Sequence, residues 1–157
     1  MRAIGLDLGS KRIGVALSDS EGTMALPFDT VHRSGQWESD HRRIAELAAE
    51  AEADVVVVGM PLSMDGSEGP AVRRTNKELR VLGRMLDLPI ETYDERLSTV
   101  TAQRSMQEAG IPGRRRREVV DQLAAAVILQ GWLDSRRDTE IQSAESQSAE
   151  SQSEGRV

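Results

Sequence analysis

An α/β fold on a mixed sheet, with helices on both faces, is predicted by three features of the chain. Two runs of alternating apolar residues, Ile4/Leu6/Leu8 and Ile13/Val15/Leu17, are separated only by the turn Gly9-Ser10-Lys11-Arg12. A connection that short joins antiparallel strands. Four consecutive valines, 55–58, suit a central strand buried on both faces. Ile44, Leu47, Ala48 and Ala51 recur at the i, i+3, i+4, i+7 spacing of an amphipathic helix.

Taken in order, the first two strands are followed by a weaker strand over residues 23–31, interrupted by Pro27. A helix over 38–52 leads to the valine strand at 54–59. Residues 60–70 are rich in Gly, Pro and Ser and read as a loop. A helix over 71–88 places Val72, Leu79, Leu82 and Leu86 on one face, and Pro89 ends it. Residues 90–95 form a short strand. Ser98 or Thr99 caps a helix reaching about Ala109, and Gly110-Ile-Pro-Gly113 breaks the chain. The last helix spans 117–134. The order β-β-β-α-β-α-β-α-α gives three antiparallel strands followed by βα units, and such sheets place their sites at the carboxyl ends of strands.

The 157 residues carry 20 Lys and Arg against 26 Asp and Glu, a formal net charge of −6. Without cysteine, disulfides, thiol nucleophiles and cysteine-held zinc or iron–sulfur groups are excluded. With only two histidines, both expected at the surface, zinc chemistry is not expected. No apolar run approaches the ~18 residues of a membrane span. The chain opens directly into a strand pattern, so no signal peptide and a cytoplasmic location are expected. Residues 138–157 are a different material. The pentapeptide SAESQ occurs twice, and five acids against Arg156 give this segment −4. It has almost nothing to bury and is expected to be a disordered tail after a domain spanning 1–137. That domain carries only −2.

Three acidic positions stand where a core has no use for a charge. Asp7 lies inside the first strand between Leu6 and Leu8, and a buried carboxylate is costly unless paired, protonated or bound to a metal. The alternative is a strand-terminal Asp opening a turn with Gly9. Asp94 and Glu95 end the last strand, one toward each face, and alternation does not choose between them. Their alternative is a surface pair capping the next helix. Asp121 sits in an apolar helix, with Ala124, Ala125, Ile128 and Trp132 on its own face. Its alternative is a salt bridge to Arg115 or Arg117. Carboxylates from a first strand, a late strand and a last helix can converge at one end of a sheet. Hard oxygen ligands of that kind suit Mg²⁺ or Mn²⁺. Two such ions about 3.5–4 Å apart clamp the attacking and leaving oxygens of phosphodiester hydrolysis.

Four segments carry a resemblance. They are Asp7-Leu-Gly-Ser-Lys-Arg-Ile-Gly-Val-Ala-Leu-Ser-Asp19, Val57-Val-Gly-Met-Pro-Leu-Ser-Met-Asp-Gly-Ser-Glu-Gly69, Asp94-Glu-Arg-Leu-Ser-Thr99 and Val120-Asp-Gln-Leu-Ala-Ala-Ala-Val-Ile-Leu-Gln130. In series, with short gaps, they resemble the YqgF family, a ribonuclease H-like group described both as pre-16S rRNA nucleases and as Holliday junction resolvases. The resemblance covers nearly all of residues 1–134 and implies a five-stranded mixed sheet. It implies catalytic and metal-binding roles for Asp7, Glu95 and Asp121, favouring Glu95 over Asp94. It implies nucleic-acid contacts by Lys11, Arg12, Arg96, Arg114, Arg115, Arg116 and Arg117. Glu118 occupies the slot of a fourth acid seen in resolvases of this fold. The C-terminal segment matches nothing in the family.

The function this implies is that of a metal-dependent hydrolase of phosphodiesters that processes the 5′ end of pre-16S rRNA. Its expected partners are pre-rRNA or branched DNA, together with ribosomal particles, and no membrane. A junction resolvase is expected to be a symmetric dimer. The chain shows no dimer signature, so a monomer or weak homodimer is expected. Two other readings compete: a non-catalytic nucleic-acid-binding assembly factor, and a nucleotide-binding module suggested by Asp-Leu-Gly-Ser after a strand. The second lacks a Gly-x-x-x-x-Gly-Lys-Ser/Thr loop and residues for a second lobe. A basic row along the 71–88 helix, Arg73, Arg74, Lys77, Arg80 and Arg84, provides further phosphate-contacting charge.

Overall fold

The computed structural model describes residues 1–97 and 113–154, and the side chains of 117–151 in its last helix. The expected helix at 98/99–109 and the side chains of Arg114, Arg115 and Arg116 lie outside the described residues.

The elements are β1 (Ala3–Leu8), β2 (Arg12–Ser18), β3 (Ala25–His32), α1 (Trp37–Glu50), β4 (Val55–Met60), α2 (Pro70–Met85), β5 (Ile90–Asp94), a 3₁₀ turn (Glu95–Leu97) and α3 (Gly113–Glu154). They form a five-stranded sheet of order β3-β2-β1-β4-β5. β1/β2 and β2/β3 are antiparallel, and β1/β4 and β4/β5 are parallel. Pro27 sits in the edge strand β3, opposite Ala16 at a register irregularity, where a missing N–H costs no ladder bond. Pro70 opens α2 at its first position, where its N–H has no helical partner to lose.

The pleat sorts the sheet into two faces. Ile4, Leu6, Ile13, Val15, Val56 and Val58 pack with Ile44 and Leu47 of α1 and Leu82 of α2. Ala3, Ala16, Val55 and Val57 pack with Ala125, Ile128, Leu129 and Trp132 of α3. On this second face the sheet is lined with glycine, so α3 lies directly on it. A Cβ at Gly5 would stand 2.8 Å from Leu129 Cβ, and one at Gly59 would stand 2.6 Å from Ile128 Cδ1. One at Gly14 would overlap the carbonyl oxygen of Asp121. The space that small neighbours leave beside Asp7 is therefore occupied by a helix.

One expectation is corrected. His41 is fully buried, because it shares the inward face of α1 with Ile44, Leu47 and Ala48. His32 is exposed, as expected. Residues 138–154, expected from sequence to form an acidic tail after the domain, continue α3, and every residue of 134–151 is exposed. No Gly or Pro interrupts the chain between Trp132 and Glu154, so nothing breaks the helical hydrogen bonding at the point where burial ends. α3 starts at the carboxyl end of β1 and runs toward its amino end. The acidic segment thus leaves from the far side. At 1.5 Å per residue, Glu140 lies about 28 Å along the helix from Asp121, several screening lengths away at ordinary salt. No helix among the described residues is long and apolar enough to cross a membrane.

Candidate active site

β1, β3, β4 and β5 all run the same way, and their carboxyl ends deliver their loops to one edge of the sheet. There a cleft of about 470 Å³ is lined by Asp7 of β1, Gly9 and Ser10 after it, Arg33 and Trp37 after β3, Gly59 of β4, Pro61 after it, Arg74, Thr75 and Glu78 of α2, and Glu95 after β5. Asp7 is 8% exposed. It pairs with Gly14 across the ladder, and opposed residues share a face, so its side chain lies on the α3 side. Glu95 is the first residue of the 3₁₀ turn rather than the last of β5. The turn folds it back over β4, where its side chain packs against Gly59. The structure thus brings Asp7 and Glu95 into one cleft.

Asp121 is placed differently. Its backbone rests on Gly14, next to Asp7 in the ladder. Its carboxylate Oδ2 accepts a hydrogen bond from Arg12 Nε at 2.6 Å. A salt bridge of the kind the sequence allows is therefore made by Arg12 of β2; the side chain of Arg115, one of the partners expected, lies outside the described residues. Among the described residues no three Asp, Glu or His side chains gather closely enough to hold a metal ion. The donor set fits a hard divalent cation through Asp7 and Glu95. The third carboxylate would have to leave Arg12 to join them.

The other predicted residues divide. Asp94 accepts the Arg96 backbone N–H and a fork of Arg96 side-chain bonds, the shortest from Nη2 to Oδ2 at 2.6 Å. These bonds hold the Asp94 carboxyl below the usual carboxylate range and raise Arg96. Asp94 thus pairs with Arg96; the helix that the sequence alternative would have it cap lies outside the described residues. Arg96 also lies against Gly66, so its position is set by Asp94 and by the 61–69 loop. That loop is braced by Ser63 N–H to the Ser67 carbonyl and Gly66 N–H to the Ser63 carbonyl. Lys11 and Arg117 are exposed. Glu118 faces β3 instead of the cleft, with its Oε1 2.9 Å from His32 Nε2.

A buried charged cluster went unseen in the sequence. Glu78 accepts a bidentate pair of bonds from Arg33 at 2.7 and 2.8 Å, and one from His41 Nε2 at 2.7 Å. Arg33 Nε also donates to the Gly9 carbonyl at 2.8 Å, and the Arg33 backbone N–H donates to the Lys11 carbonyl at 3.0 Å. The Arg33 guanidinium therefore joins α2 to the turn that follows Asp7, and Glu78 ties both to α1 through His41. The signal was present: Val72, Thr75, Glu78 and Leu82 share the buried face of α2, and an acid in that phase is as anomalous as Asp121.

Burial of Glu78 opposes its charge, but the bonds from His41 and Arg33 outweigh it and hold its pKa at about 2, against an ordinary 4.5. A depressed acid stabilises the fold above its unfolded pKa and loses that contribution as pH falls through the folded one. The gap corresponds to roughly 3 kcal/mol, lost between about pH 4.5 and 2. Urea unfolding at pH 6, 4 and 3 is expected to show a steeper loss of stability in the wild type than in Glu78→Gln. Parallel pH profiles would refute the assignment.

Comparison with known proteins places this geometry. A family model described as "RuvX: Holliday junction resolvase" matches residues 1–135. A Myxococcus xanthus protein named "Putative pre-16S rRNA nuclease" is 50% identical over 137 residues, covering 87% of this chain and 90% of its own length. Relatives with the same name from Mycobacteroides abscessus and a Ruegeria species are 44% and 46% identical; each covers at least 85% of this chain and 82% of its own length. Among solved structures, Thermus thermophilus RuvC in complex with a Holliday junction substrate aligns with a TM-score of 0.55 at 15% identity, over 87% of this chain and 96% of that one. A second Thermus thermophilus RuvC structure aligns with a TM-score of 0.52 at 17% identity. At such identities the likeness bears on the fold, which is ribonuclease H-like. The four motifs, the family model over 135 residues and the 50% identity to a relative of nearly equal span lead to one conclusion: the chain belongs to the RuvX (YqgF) family.

Proposed function

We infer that the protein is a metal-dependent endonuclease that hydrolyses phosphodiester bonds and processes the 5′ end of pre-16S rRNA. The observation that carries this reading is the meeting of Asp7 and Glu95 in one cleft at the carboxyl ends of the strands. The curated relatives support the choice of RNA by their names. Asp7, Glu95 and Asp121 are assigned as the catalytic, metal-binding acids, with Arg12 holding Asp121 until the site is loaded. A divalent cation, Mg²⁺ or Mn²⁺, held by these oxygens supplies Lewis-acid activation of the phosphodiester and of water. Lys11, Arg12, Arg96 and Arg114–Arg117 are assigned to phosphate contacts that position the strand without reading its bases. Residues 1–137 form the nuclease domain and 138–157 an acidic appendage. The setting is the cytoplasm, on ribosomal particles, as a monomer or weak homodimer.

The family description favours a second reading, cleavage of four-way DNA junctions. A direct comparison separates the two. Wild-type protein is incubated with a pre-16S 5′ fragment and with a four-way junction, each with Mg²⁺ and with EDTA. Metal-dependent cutting of the RNA alone is the expected result. Cutting of the junction alone would replace the RNA reading, and cutting of neither would remove the nuclease assignment.

A further inference from the structure

The chain has four aromatic residues other than histidine, and one of them, Trp37, is spent on the wall of the cleft that holds Asp7 and Glu95. It is the first residue of α1 and is half-buried. It packs near-parallel to the His41 ring at a centroid distance of 6.0 Å and an angle of 22°. His41 is fully buried and held by Glu78. Arg33, on the same Glu78, grips the carbonyls of Gly9 and Lys11 beside Asp7. The indole therefore rests on a rigid support, and that support is tied to the turn after the first acid. Arg74, exposed on the first turns of α2, lines the same cleft. Glu78 is already matched by Arg33, so Arg74 adds a positive charge to the α2 wall of the cleft that also holds Asp7 and Glu95.

We propose that Trp37 and Arg74 form a subsite for a nucleotide flanking the cut, with its base stacked on Trp37 and its phosphate on Arg74. The subsite rests on the nucleic-acid reading above and adds to it a direction for the strand, from the acids toward α1 and α2. An aromatic face takes any base, because every base has a π surface. The subsite thus suits unpaired RNA or DNA of any sequence. A fully paired base keeps its faces stacked within the duplex, so the strand must be single at this position. The Arg33–Glu78–His41 cluster acts as a positioning device that sets the spacing between the stacked base and Asp7.

The test uses the full chain with a ten-nucleotide single-stranded RNA in EDTA, so that binding is read without cutting. Wild-type tryptophan emission is expected to be quenched on titration, and in Trp37→Phe the quenching should vanish while affinity is largely kept. Trp37→Ala is expected to weaken binding about 5- to 150-fold, the range for loss of one stacked base. Arg74→Ala should weaken it less and flatten its salt dependence. Because Trp37→Ala removes packing from His41, the exposed Arg74 and the conservative Phe variant carry the test if that protein unfolds. Unchanged affinity in Arg74→Ala, together with quenching that survives in Trp37→Phe, would overturn the subsite and leave the nuclease reading standing. A wild type that neither binds nor cuts nucleic acid would overturn both.

Discussion

Asp7→Asn is expected to fold like the wild type and to lose cleavage by at least about 100-fold, the scale on which removal of a ligand or an essential charged group acts. Asparagine has the shape of aspartate without its charge. Asp7 is 8% exposed, between strand neighbours and the glycine strip under α3, so the substitution neither opens a cavity nor adds a clash. Loss of a desolvated charge does not by itself destabilise the fold. The melting temperature should therefore hold while the single-turnover rate with Mg²⁺ collapses. Glu95→Gln should behave the same way, since Glu95 shares the cleft. Glu118→Gln should not, because its carboxylate faces His32 on β3. A variant Asp7→Asn that still cuts at the wild-type rate would remove the first acid from the site and the metal mechanism with it. An inactive Glu118→Gln would instead bring that acid into the catalytic set.

Gly14→Ala is expected to be among the most damaging single changes in the chain, although it adds one methyl group. The methyl would enter the carbonyl oxygen of Asp121. Its neighbour is helix backbone, which cannot rotate aside as a side chain can. α3 would have to lift from β2 along the strip where Gly5 and Gly59 also allow close approach. Overpacking of this kind costs about 3 kcal/mol, a large share of the roughly 5–15 kcal/mol that holds a domain together. The lift would also carry Asp121 and its bond from Arg12 away from Asp7, so cleavage should fall even in whatever protein remains folded. Differential scanning calorimetry checks the first effect, with Gly83→Ala as the contrast. Gly83 lies on the exposed side of α2, and its added Cβ would meet nothing nearer than Ile90 Cδ1 at 3.8 Å. That change should gain about 0.5–1 kcal/mol from helix propensity. If Gly14→Ala melted with the wild type, α3 would not be seated as described.

The fold class and the order of the described elements are legible because they are written in short-range spacing. Alternation at Ile4/Leu6/Leu8, the valines of β4 and the 3.6-residue period of α1 each show within about ten residues. A carboxylate inside such a pattern stands out locally, which is what makes Asp7 and Asp121 candidates. His41 and Glu78 were passed over although they lie in the buried phase of their helices. The phase marks each as buried, but it does not say that they are each other's partner.

Pattern alone established that the chain has strands and helices of these types in this order, and that charges occur where a core should be apolar. The tertiary structure decided which charges meet. His41 and Glu78 are 37 residues apart in sequence, Arg33 and Glu78 are 45 apart, and Arg12 and Asp121 are 109 apart. A periodic pattern fixes which way a side chain faces, but a partner is fixed by how elements stack. That stacking depends on glycines letting α3 lie on the sheet at Gly14 and on parallel strands delivering β1, β3, β4 and β5 to one edge. Where no core packing constrains the chain, as beyond Leu133, local hydrogen bonding decides the conformation, and α3 continues with residues 134–151 exposed.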